Sequence, residues 1–249
     1  MKLGTVSRLL FLVVAGTLPS SAFAGPEPAV SGALSIVPGL GQVANGDTAE
    51  GIGWFVGSLG LFFSGNHYLG QMGFDLWLYN TYDAYKDAGG AHTQPLTAGE
   101  NWLGAFNPVN VIDPIGAPIV AVGAVSGIPH RSYPALRNPA KIATYSVVGL
   151  GEEGLFRGFL FPGFSDVFGS KLVGGALSSI AFAYAHALGG SENLRPSALI
   201  SRFVLGALFC FQANLNDYDL RKNIFAHTWF DILVDENAHQ IGLKVGLPF

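Results

Sequence analysis

The sequence predicts an all-α protein, a polytopic transmembrane helical bundle of about seven spans behind a cleaved signal peptide. Three observations predict it. Of 249 residues, 49% are hydrophobic and only 12% charged, against about 25% charged in an ordinary soluble domain. Mean hydropathy is positive, +0.38. Apolar stretches recur along the chain with short polar breaks between them. The same quantities exclude other classes. High apolar content with a net charge of −4 excludes disorder. A pI near 5.8 without a basic block argues against nucleic acid as a partner. The single cysteine, Cys210, excludes an internal disulfide framework and a multi-cysteine metal site.

Taken in order, Lys2 and Arg8 precede a short apolar run, and Ala22-Phe23-Ala24 precedes Gly25. That is the pattern of a signal peptide over residues 1–24. It sends the chain into a membrane, expected to be the inner membrane of a bacterial cell, crossed several times with lipid as a partner. Residues 33–44, broken by Pro38-Gly39-Leu40-Gly41, are too short to span and read as a re-entrant or interfacial piece. Spans are expected near 50–65, 68–84, 108–128, 139–160, 170–190, 197–213 and 222–236. The longest polar break, 86–107, separates a membrane module at 25–107 from a bundle at 108–249. Pro38-Gly39-Leu40-Gly41-Gln42, Asn45-Gly46 and Tyr82-Asp83-Ala84-Tyr85 resemble a small two-helix module of bacterial membrane proteins, with a packing or anchoring role. The cluster Arg131, Arg137 and Lys141 puts its loop on the cytoplasmic side, which leaves 86–107 periplasmic.

Six groups in the second half do not fit a purely apolar span: Glu152, Glu153, Arg157, His186, His227 and Asp231. A charge at mid-membrane costs about 2.5–3.5 kcal/mol on insertion scales, so six need mutual pairing at least. Glu153 and Arg157 are four apart and can form an ion pair, while Glu152 points about 100° away, toward a cavity. Gly154-x-x-x-Gly158 admits a close helix neighbour. His227 and Asp231 also share a helical face, so Asp231 can hold one imidazole nitrogen and leave the other for chemistry. His186 follows Phe182 by one turn. The remaining candidates read as structural. His67, His92, His130 and His239 lie in polar breaks, Cys210 is a packing residue, and Asp75 and Asp113 are interfacial or inter-helix hydrogen bonders. The four tryptophans suit interfacial belts and packing.

In order, E-E-x-x-x-R (Glu152, Glu153, Arg157), F-x-x-x-H (Phe182, His186) and H-x-x-x-D (His227, Asp231) resemble the CPBP intramembrane protease family of CAAX prenyl endopeptidases and bacteriocin-processing enzymes. The resemblance covers about residues 138–236. The family often has Asn at the last position, where this chain has Asp231, an acid that favours the imidazolium form of His227. The resemblance implies an endopeptidase acting on a peptide or membrane-protein segment. Glu152 would activate water, His186 would position the water or the scissile carbonyl, and His227 would stabilise the oxyanion. Glu153 and Arg157 would hold geometry and charge. It leaves the cofactor open: Glu152, His186 and His227 could form a His₂Glu zinc set, although H-E-x-x-H is absent and a metal-free glutamate mechanism suits the same residues. Two other readings stand beside it: a non-catalytic scaffold or bacteriocin-immunity-type protein of the same fold, and a proton-coupled carrier using the Glu/His set as a relay.

Overall fold

The computed structural model describes residues 26–127, 133–187 and 194–234. The expected signal peptide, His130, Arg131 and His239 lie outside them. Every regular element among the described residues is helical. The chain runs α1 (Pro28–Leu34), α2 (Leu40–Asn45), α3 (Thr48–Phe62), α4 (His67–Asp87), α5 (Ala98–Leu103), α6 (Gly116–Gly127), α7 (Pro139–Glu153), α8 (Phe161–Phe168), α9 (Lys171–Ala187), α10 (Pro196–Leu215) and α11 (Leu220–Val234). A π-helical segment, Gly154–Leu160, joins α7 to α8 without a break.

Local chemistry sets the ends of these helices. Asp47 caps α3 through Glu50 N–H, and Asn66 accepts from the first N–H groups of α4. Thr97 and Glu100 form a reciprocal box at α5. Asn138 caps α7 with Pro139 in its first turn. Each cap satisfies donors that the first turn leaves without partners. The break expected at Pro38-Gly39 separates α1 from α2. Gly39 has φ +81°, and a Cβ there would meet the carbonyl of Gly51, so the turn needs glycine. The span expected at 108–128 is helical only from Gly116. A 3-10 turn occupies Pro108–Val111, and Asp113 then accepts from Ile115 and Gly116 N–H at 3.0 and 2.6 Å, starting α6 after Pro114.

α3 and α4 form a hairpin, and α4 packs along α7 and the π segment. α11 lies on the other side of α7 and against α6, while α9 and α10 pair and close over the π segment. The polarity is inverted relative to a water-soluble domain. Leu172, Ile112, Val167, Phe63 and Val125 are among many exposed apolar side chains, whereas Asp75, Asn80, Glu152, Glu153, Arg157, Gln212 and Asn223 are buried. Such an arrangement suits an apolar solvent, where polar groups seek one another inside the bundle. Among the described residues one helix, Pro196–Leu215, is by itself long and apolar enough to cross a membrane, and Gly116–Ser126 is a shorter apolar helix.

Candidate active site

Three helices supply the expected residues, and the fold brings all six together. The end of α7 delivers Glu152 and Glu153, and the π segment delivers Arg157 one turn later. Arg157 is fully buried. Its Nη1 donates to Glu153 Oε1 at 3.0 Å and its Nη2 to the Gly206 carbonyl at 3.3 Å. The guanidinium also lies 4.4 Å from the ring centre of Phe182 and 4.9 Å from that of Phe209, in cation–π range. The (i, i+4) pairing read from the sequence is therefore present, and it extends to α9 and α10.

Glu153 is the hub. Besides Arg157, its Oε1 accepts from His227 Nδ1 at 2.6 Å and its Oε2 from Asn223 Nδ2 at 3.3 Å. Here the structure differs from the sequence reading. Asp231 was expected to fix the His227 imidazole, but Glu153 from α7 holds Nδ1, and Asp231 Oδ2 lies 3.6 Å from Nε2 instead. The reason is geometric: a residue one turn along the same helix reaches the edge of the ring that faces along the helix, while Nδ1 turns to the neighbouring helix. His227 thus has carboxylates at both nitrogens, a pattern that an imidazolium with two donors satisfies. The ring also stacks on Phe209, with centres 5.2 Å apart and planes inclined by 18°.

Glu152 is unlike its neighbour. It is 1% exposed, yet neither carboxylate oxygen has a hydrogen-bond partner among the described residues. Its Oε2 lies 3.7 Å from His186 Nε2 and 3.6 Å from His227 Nε2. His186 Nδ1 donates to the Phe182 carbonyl one turn earlier, at 2.8 Å, which leaves Nε2 as an acceptor. The pocket therefore offers two acceptors, Glu152 and His186 Nε2, and one donor, His227 Nε2–H. These are the complements of a water molecule: two hydrogens to give and a lone pair to share. Leaving a buried carboxylate without hydrogen bonds costs free energy, so Glu152 is placed here at the expense of stability.

The donors are also of the types that zinc takes, but the arrangement suits a metal poorly. His227 already engages Glu153 through Nδ1, and its Nε2 lies between the carboxylates of Glu152 and Asp231. Among the described residues, the trio whose ligand atoms all lie within 4.8 Å of one another is Glu50, Asp83 and Asp87, which the Glu152, His186 and His227 set does not match. Lys86 offsets part of the charge of the acidic trio: its Nζ lies 3.0 Å from Asp83 and 3.2 Å from Asp87.

Several contributors were not singled out in the sequence. Asn223 precedes His227 by one turn, so N-x-x-x-H-x-x-x-D marks a single polar stripe on α11, a signal visible at the sequence level. Phe209 and the Gly206 carbonyl carry no such signal, because their roles arise only when α10 packs over the π segment. Three of the residues read as structural, Cys210, His92 and Asp113, make packing or inter-helix contacts. Cys210 is buried against Ser179, and His92 stacks on Tyr218. Asp113 ties α6 to α10 through Gln212 and Asn216 at 3.0 and 2.8 Å. All four tryptophans donate hydrogen bonds into the fold.

Comparison with curated proteins and with solved structures finds no match. Residues 138–233, which run from the cap of α7 into α11 and hold all six residues, match the family model described as Type II CAAX prenyl endopeptidase Rce1-like, and this match supports the CPBP family.

Proposed function

We propose that the chain is a multi-pass endopeptidase of the bacterial inner membrane that hydrolyses a peptide bond in a peptide or membrane-protein segment. The observation that carries the reading is Glu152, buried and unpartnered, between the Nε2 atoms of His186 and His227. Water donates one hydrogen to Glu152 and the other to His186 Nε2, which turns its lone pair toward the scissile carbonyl carbon. Glu152 removes the proton as the oxygen–carbon bond forms. His227 Nε2–H donates to the oxyanion that develops. Glu152 then returns the proton to the leaving amine. Glu153 holds His227 in the orientation this requires, and Arg157 holds Glu153. The exposed apolar side chains and the buried polar interior support residence in lipid.

The test is cleavage of a pool of quenched fluorescent peptides by the full-length chain in detergent, beside Glu152→Gln. General base catalysis contributes about 10²–10⁴-fold, and a loss of that size is expected, with His186→Ala also impaired. Chelation with EDTA is expected to leave the rate unchanged. A Glu152→Gln protein that cleaves as fast as wild type would refute the reading. Rates that collapse with EDTA and return with zinc would give the pocket to a metal.

A further inference from the structure

Asp75 lies outside the segment that matches the family. It sits near the middle of α4, is 0% exposed, and keeps one oxygen, Oδ1, without a hydrogen-bond partner among the described residues. The other, Oδ2, is braced by Gln71 Nε2 at 2.7 Å. α4 approaches α7 most closely at this point: a Cβ on Gly151 would run into the carbonyl oxygen of Asp75 and lie 2.8 Å from its Cα. Gly151 immediately precedes Glu152. Asp75 thus lies on the helix that backs Glu152, and its charge and that of Glu152 act on each other across this contact.

Glu152 uses Oε2 toward the histidines, and its Oε1 is buried and unpartnered as well. Two buried acceptors without partners, on helices that touch at Asp75 and Gly151, are groups that a bridging water can satisfy. We propose that Asp75 is a positioning residue of the active site: through such a water it holds Glu152 with Oε2 turned to His186 and His227. The site then draws on two parts of the chain, and α4 does more than pack. This rests on the endopeptidase reading above.

The test uses the full-length chain in detergent and a quenched fluorescent peptide that wild type cleaves, with Glu152→Gln alongside. Asp75→Asn keeps the shape and the acceptor for Gln71, but turns an amide donor toward Glu152 and weakens it as a base. Its kcat is expected to fall about tenfold or more, at the lower end of general base effects, with KM within about twofold and Tm close to that of wild type. Gly151→Ala, which pushes α4 off α7 without altering any charge, should lower kcat in the same way. Wild-type kcat in folded Asp75→Asn, with Glu152→Gln inactive, overturns the role of Asp75 and leaves the endopeptidase reading intact. Loss of the folded state in Asp75→Asn makes the residue structural and also overturns the proposal. Glu152→Gln as active as wild type overturns the reading on which it stands.

Discussion

A buried arginine is stable only if each of its contacts is kept, and Arg157 draws its contacts from three helices. Glu153 takes one end, the Gly206 carbonyl another, and the rings of Phe182 and Phe209 flank the guanidinium. Removing one partner of a buried pair leaves the other uncompensated, at a cost of about 3–5 kcal/mol. Arg157→Leu should lose that much stability in denaturant unfolding, more than Asp231→Asn, whose side chain is 15% exposed. A loss below about 1 kcal/mol, the size of a surface pair, would mean that Glu153 is held by His227 and Asn223 alone. The pair itself was legible from the spacing of Glu153 and Arg157. The third member was not: spacing within α11 points from His227 to Asp231, and nothing in a one-dimensional sequence says that Glu153, 74 positions away, takes Nδ1.

Helix positions were legible because composition and breaks set them. Seven apolar stretches became seven helices or helix segments, with Asn66 and Asn138 at starts that their side chains cap. The exception is 108–115, where apolar residues suggested a span but Pro108 and Pro114 interrupt the hydrogen-bond ladder. The glycines of the π segment were expected to admit a neighbour, and that neighbour is α4. A Cβ on Gly154 would come 2.7 Å from Tyr79, and one on Gly158 would strike the ring of Tyr82. A π segment widens the helix by one residue per turn and is frequent at functional sites; here it carries Arg157 inward between two aromatic contacts. Opposite signs follow for two alanine substitutions. Gly158→Ala should destabilise by about 1–3 kcal/mol through overpacking. Gly163→Ala, with nothing within 4 Å, should stabilise by up to about 1 kcal/mol through helix propensity. Thermal unfolding of both in one detergent checks the contrast, and equal shifts would remove the packing argument.

Across the whole molecule, polarity is arranged in two ways: polar groups are buried inside the bundle, and charges such as Glu100, Asp219 and Arg221 lie toward its ends, these three at one of them. Low charge and high hydropathy made the first legible as a class, but not which helices would enclose the pocket. At that end, α5 meets the turn between α10 and α11 through Arg221, whose stem packs on Gly104. Asp219 accepts from Arg221 Nη2 at 2.6 Å. Burial alone would push the Asp219 carboxyl up, but the hydrogen bonds and charge of Arg221 hold it below its usual 3.8. Glu100 is held below 4.5, first by the Thr97 N–H and then by its hydroxyl. A carboxyl whose folded value is depressed contributes stability above its unfolded value and loses it as pH falls through the folded one. The end should therefore hold at neutral pH and loosen below about pH 4, near the ordinary carboxylate range. Arg221→Met removes the partner, so its Tm deficit against wild type should be constant from neutral pH down to about pH 5 and should shrink below about pH 4. Taking this difference cancels every contribution common to the two proteins. A deficit that stays undiminished at the most acidic pH would show that Arg221 acts there through its packing on Gly104, and not through the charge of Asp219.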